Sequence, residues 1–158
     1  MLLRLNSTTD NNFSNSLALA FRLIVVSTII DKNGKVIYHS NCLNDAVVSR
    51  CGTVRIMTLS IDCNGSHLMD YSADGVIIST PTGSTAYSFS AGGPVIEPQI
   101  DSMLITPVCC HSFFSRSVVL RPDSLLEIKH DNSGEAMLSC DGEEPVSVLT
   151  VLFWKTTA

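Results

Sequence analysis

The run DGVIISTPTGSTAYSFSAGGP, residues 74–94, constrains this chain more than any other segment, because it sets a carboxylate, a hydroxyl-rich turn and a glycine-closed helix side by side. An ordinary core strand needs none of that chemistry. Residues 76–78 read as a short buried strand, and Ser79, Thr80, Thr82, Ser84 and Thr85 crowd a turn broken by Pro81 and Gly83. A short helix is predicted over 84–91, with Ser84 as N-cap, Gly92 closing the C-terminus and Pro94 stopping continuation. Unpaired N–H groups in its first turn suit a phosphate, a ribose hydroxyl or a purine edge. The plainer reading is a strand, turn and helix whose hydroxyls satisfy nearby backbone groups. The run is neither a P-loop, lacking the lysine, nor a G-x-G-x-x-G turn.

Strand signals dominate elsewhere. Residues 1–16 are Asn-, Ser- and Thr-rich without a period and read as a loose lead-in, leaving 17–158 as one domain. Residues 21–30 are rich in β-branched side chains, and the Asp31-Lys32-Asn33-Gly34 turn leads into a strand over 35–39. A second turn, Asn64-Gly65, joins 53–61 to 66–71. Within the first of these, Val54, Ile56, Thr58 and Ser60 alternate with Arg55, Met57, Leu59 and Ile61, which predicts one buried and one mixed face. Further strands are expected over 103–106, 117–120, 125–130, 135–139 and 146–154. About ten short strands with one or two short helices predict a mainly β, layered, sandwich-like domain.

A chain of 158 residues, 45% hydrophobic and 16% charged, can bury a core. The net charge of −5 without a basic cluster argues against nucleic acid or an acidic membrane as partner. The six cysteines form no C-x-x-C pair and lack zinc-module spacing, so reduced, buried thiols in a cytoplasmic protein are expected, with no metal site. The longest apolar stretch, 23–30, is too short to span a bilayer.

Residues 74–96 resemble the nucleotide-binding core of the NAD kinase family. So does CLNDAVVSR at 42–50, while VCCHSFFSRSVVLRPDSLLEI at 108–128 is similar to the family's Pro-His-Ser-Leu segment and CDGEEP at 140–145 to its late Asp-Gly turn. The resemblance covers nearly the whole chain but only the family's C-terminal, NAD-binding and oligomerising half. It implies a β-rich layered fold, a cytoplasmic homo-oligomer, and phosphoryl transfer from ATP or polyphosphate to the 2′-hydroxyl of the adenosine ribose of NAD, giving NADP. A divalent ion, Mg or Mn, is expected with ATP in the complete enzyme.

By that resemblance Asn44 and Asp45 contact the adenosine side of NAD, since an amide beside a carboxylate reads hydroxyls and a base edge together. An Asx-type cap is the local alternative. Asp74 is implied to accept a hydrogen bond from an amide or amino group, against an ordinary turn aspartate. Thr85, Ala86, Tyr87, Ser88, Phe89 and Ser90 are implied to line the pocket, Tyr87 as an aromatic wall, although Phe89 reads better as a core residue. Arg55 corresponds to a basic position facing the pyrophosphate, or is a solvent-facing arginine. Asp141 and Glu143 match the late nucleotide-contacting turn, where the family often has an amide in place of Glu143.

No catalytic residue is assigned. His111 reads as structural, His39, His67 and His130 lack metal-ligand spacing, and no serine sits in G-x-S-x-G. The resemblance places the catalytic carboxylate and much of the phosphate cradle in a Gly-Gly-Asp-Gly-Thr motif that these 158 residues do not contain. The chain is therefore expected to be a truncated product or an excised domain, unable to phosphorylate NAD alone. A non-catalytic NAD- or NADP-binding module and an oligomerisation module are the alternatives. A lipid-directed kinase shares the broad fold, but Asn44-Asp45 and residues 82–87 match the NAD branch better.

Overall fold

The computed structural model describes residues 24–30, 33, 35–52, 56–111, 115–130, 135–148 and 150–156. In chain order the strands are β1 (Ile24–Ile30), β2 (Val36–Cys42), β3 (Asp45–Arg50), β4 (Met57–Cys63), β5 (Ser66–Ala73) and β6 (Gly75–Ser79). A 3-10 turn (Thr82–Thr85) and a single-turn α-helix (Tyr87–Ser90) follow. The remaining strands are β7 (Met103–Val108), β8 (Val118–Leu120), β9 (Leu126–His130), β10 (Ala136–Cys140), β11 (Val146–Val148) and β12 (Thr150–Thr156). They form two six-stranded sheets, ordered β2-β1-β12-β9-β4-β5 and β11-β10-β3-β6-β7-β8, antiparallel throughout. The mainly β, two-layered architecture expected from the sequence is the one observed.

Alternation decides which faces meet. Met57, Leu59 and Ile61 of β4 are buried while Thr58 and Ser60 between them are partly exposed. Tyr71, Ile78, Ile105, Ile128 and Phe153 join them in one cluster fed by both sheets. Fully burying each such side chain contributes ~1.5–3 kcal/mol, more than any surface ion pair, so contact between the layers determines the fold. Strand β6 differs in being buried at all five positions. Val76 and Ile78 belong to the core between the sheets, and the 3-10 turn and helix pack against the strand. That second cover explains why its sequence is an unbroken apolar run.

Several expected boundaries shift. The Asn64-Gly65 turn closes the β4–β5 hairpin, with Asn64 Oδ1 accepting a hydrogen bond from Leu125 N–H at 2.9 Å. Asp31, Lys32 and Gly34 of the first predicted turn, residues 21–23 and residues 53–55 lie outside the described residues. The apolar run 146–154, read as one strand, is two: β11 pairs with β10 in one sheet, whereas β12 pairs with β1 and β9 in the other. Such a change of sheet is how a continuous strand turns a sandwich corner.

The helix is shorter than predicted, and Ser84 is not its N-cap. Ser84 lies inside the 3-10 turn, where its hydroxyl donates to Pro81 O at 2.6 Å and accepts from Ile96 N–H at 3.0 Å. A tertiary partner twelve residues on outcompetes the local cap. Gly92, with φ +87°, does close the helix, as only glycine adopts that conformation without strain. Phe89, expected in the core, is 57% exposed. Ser88 takes the inward position, and successive residues of a helix project about 100° apart, which turns Phe89 outward.

The cysteines also differ from expectation. All six are free thiols, but only Cys42 and Cys140 are buried, while Cys109 is exposed. The sulfurs of Cys42 and Cys140 each lie 3.6 Å from the buried Ser27 Oγ. Hydrogen bonding with Cys140 and burial push the Cys42 thiol up. Among the described residues no helix is long and apolar enough to cross a membrane.

Candidate functional site

Two of the places where the chain passes from one sheet to the other carry residues singled out from the sequence. Between β2 and β3 the crossing is Leu43-Asn44, and between β5 and β6 it is Asp74 alone. Strand β3 runs from the first crossing toward the second, so its two ends are ~17 Å apart at 3.3–3.4 Å per residue.

At the first end, Asp141 organises the turn. Its carboxylate accepts from three consecutive backbone N–H groups: Leu43 at 2.6 Å, Asn44 at 2.9 Å and Asp45 at 3.0 Å. Asp141 N–H in turn donates to Asp45 O at 2.9 Å. Thr80 holds the other side, its N–H donating to Asn44 O at 2.9 Å and its hydroxyl to Leu43 O at 2.7 Å. Gly83 then packs so closely on Asn44 that a Cβ there would overlap the Asn44 carbonyl. Only glycine permits that approach.

Asp45 is buried, and its carboxylate accepts the Tyr87 backbone N–H. Burial lifts its carboxyl above the ordinary value, the Asp141 charge adds to this, and the Tyr87 N–H opposes it. Tyr87 begins the helix and is 45% exposed. Its side of the sheet bears an open cleft of about 330 Å³, bounded by Tyr87, by Val47 and Ser49 of β3, by Arg50 and Asp74, and by Val108 and Cys109 at the end of β7. Tyr87 thus connects the Asp45 end of β3 with the Asp74 end.

At that second end, Arg50 Nε donates to Asp74 Oδ1 at 2.8 Å. Their backbones are joined as well, Arg50 N–H to Asp74 O at 3.0 Å, and Asp74 N–H donates to Val108 O at 3.0 Å.

The remaining predicted residues are placed differently. Ser88 is buried and its hydroxyl pairs with Thr106 Oγ1 at 2.8 Å. Thr85 is exposed, its hydroxyl donating to Thr82 O at 3.2 Å; Ala86 is half-buried; Phe89 and Ser90 are exposed. Glu143 is exposed, and its backbone closes the turn through its N–H to Cys140 O at 2.9 Å and its O from the Ser139 hydroxyl at 2.8 Å. Arg55 lies outside the described residues. His111 is exposed, with its backbone N–H on Ser72 O at 2.7 Å. Thr80 and Arg50 were not singled out as site residues. Arg50 ends the quoted segment at 42–50, and a cation at a strand terminus was the available signal.

Residues 43–151 match the family described as the ATP-NAD kinase C-terminal domain. The chain belongs to the ATP-NAD kinase family. An NAD kinase of Symbiobacterium thermophilum is 41% identical over 141 residues, 89% of this chain and 50% of that protein. One of Acetivibrio thermocellus is 42% identical over 127 residues, 79% of this chain and 44% of that protein. The chain spans about half the length of the curated relatives it matches. Among solved structures, yeast NADH kinase complexed with NADH superposes with a TM-score of 0.79 at 31% identity, covering 86% of this chain and 40% of that one. An Archaeoglobus fulgidus NAD kinase in complex with ATP shares the fold, with a TM-score of 0.70 at 22% identity over 92% of this chain and 58% of that one. The match includes Asn44, Asp45, Arg50, Asp74, Tyr87 and Asp141, so the whole β3 arrangement falls within the ATP-NAD kinase domain.

Proposed function

We propose that this chain supplies the NAD-binding surface of an NAD kinase, which transfers a phosphoryl group from ATP or polyphosphate to the 2′-hydroxyl of the adenosine ribose of NAD. The observation that carries this reading is the pair of fixed polar groups at the two ends of β3, Asn44-Asp45 and Asp74, with Tyr87 between them. A ligand with two chemically distinct ends fits that spacing. Asn44 and Asp45 would take the adenosine ribose and base, the Tyr87 side chain would wall the cleft, and Asp74 would accept from the amide. Thr85, Ala86 and Ser90 border the same segment and would contribute from its rim.

Transfer requires positioning together with charge stabilisation around the phosphates. Among the described residues no group of three or more His, Cys, Asp or Glu is arranged to hold a metal ion. The residues described here bind and orient; the phosphate cradle belongs to the Gly-Gly-Asp-Gly-Thr segment that the 158 residues lack. The chain alone is proposed to bind NAD without phosphorylating it, within a cytoplasmic homo-oligomeric enzyme.

Calorimetric titration of NAD and NADP into the purified chain, with Asp74→Ala as control, tests this reading. Saturable binding that the control loses supports it. Turnover by the chain alone at the rates of complete NAD kinases would remove the claim that it only binds.

A further inference from the structure

Asp74 is the only residue between β5 in one sheet and β6 in the other. Its backbone is held from both sides, by Arg50 N–H and by Val108 O. Its carboxylate has one hydrogen bond among the described residues, from Arg50 Nε to Oδ1. The side chains of Arg50 and Asp74 are 29% and 32% exposed, and both line the cleft. An ion pair this exposed adds only ~0–1 kcal/mol to stability. What the pair does accomplish is geometric, because a carboxylate held at Oδ1 presents Oδ2 in a defined direction. The neighbouring walls, Val47, Val108 and Tyr87, are apolar or aromatic and suit a flat ring.

We infer that Arg50 is a positioning residue: it fixes the Asp74 carboxylate so that its second oxygen receives a carboxamide N–H on a ring lodged in this cleft. The inference rests on the reading that Asp74 meets the amide end of a bound dinucleotide. It also specifies that Arg50 acts on that end through Asp74 and not on the pyrophosphate.

The test compares NAD with ADP-ribose, which keeps the adenosine, both riboses and the pyrophosphate but has no carboxamide ring. Each is titrated into the wild-type chain and into Arg50→Met, Asp74→Asn and the double variant. Wild type is expected to bind NAD more tightly than ADP-ribose. Arg50→Met should weaken NAD about tenfold, the scale of one charge-assisted hydrogen bond, and leave ADP-ribose unchanged. The double variant should bind NAD no worse than Asp74→Asn, because Arg50 works through that carboxylate. Equal losses for both ligands in Arg50→Met, additive losses in the double variant, or equal wild-type affinity for the two ligands would overturn the inference while leaving dinucleotide binding intact. Failure of the wild-type chain to bind either ligand would overturn the binding reading and this inference together.

Discussion

Asp141 Oδ1 accepts the Asp45 backbone N–H at 3.0 Å across 96 residues of sequence. The same carboxylate takes Leu43 and Asn44, so one side chain on β10's exit turn sets the conformation of the segment entering β3. Asp141→Ala removes all three bonds and is expected to cost about 1.5–3 kcal/mol, the range for hydrogen bonds to a charged group. Asp141 has φ +47°, a conformation that asparagine tolerates better than most residues. Asp141→Asn, which also keeps an acceptor, should therefore lose less than half as much. Urea denaturation of the two variants separates them, and equal losses would remove the role assigned to the carboxylate.

Asp45 yields a pH prediction. Its carboxyl lies above its ordinary value of 3.8 in the folded chain, chiefly through burial. A carboxyl raised on folding holds its proton more tightly folded than unfolded, so its ionised form opposes folding. That opposition is absent below the unfolded value, builds as pH rises from it and is complete once pH exceeds the folded value. Asp45→Asn should thus melt higher than wild type at neutral pH, with the gain vanishing as the pH falls to about 3.8. The same variant should bind NAD more weakly, a trade of function for stability seen at many sites. Thermal melts across this pH window, beside a titration at neutral pH, measure both.

Gly83 is predicted to be intolerant of any side chain. Its added Cβ would meet the backbone of Asn44, which cannot rotate aside as a side-chain tip would. Gly83→Ala should destabilise by ~1–3 kcal/mol, the usual range for overpacking, and should displace the Asn44 amide resonance in NMR spectra. An unchanged spectrum and melting point would show that the two segments are not packed as described.

Thiol accessibility gives a test of the fold that needs no ligand. Cys109 is exposed, whereas Cys42 and Cys140 are buried between the sheets, and the raised Cys42 thiol stays protonated and unreactive at neutral pH. A thiol-specific reagent should modify Cys109 first and reach Cys42 and Cys140 only on unfolding, as read by peptide mass spectrometry.

Much of the sandwich could be read from alternation and turn chemistry, because Met57, Leu59 and Ile61 bury one face and Asn64-Gly65 makes its hairpin by local preference. The break between β11 and β12 could not, since an apolar run has the same pattern whichever sheet takes each half. Within the candidate site, Asn44, Asp45, Asp74 and Tyr87 were marked by the resemblance to the NAD kinase family, because local chemistry alone left an Asx cap or an ordinary turn aspartate equally open. Arg50 was not, because its partner lies 24 residues away and only the register of β3 against β6 brings them together. Ser84 and Phe89 were misread for a related reason: a helix of four residues has too little period to distinguish an inward from an outward position.

The single-residue passage at Asp74 has a mechanical meaning. A loop of several residues would absorb small movements of one layer against the other, but one residue has no slack. The Asp74 wall of the cleft is therefore tied directly to how the two layers pack. Tyr71, fully buried three residues upstream with its hydroxyl on Arg116 O at 2.8 Å, anchors the strand that leads into this passage and so helps to hold the Asp74 wall of the cleft in place.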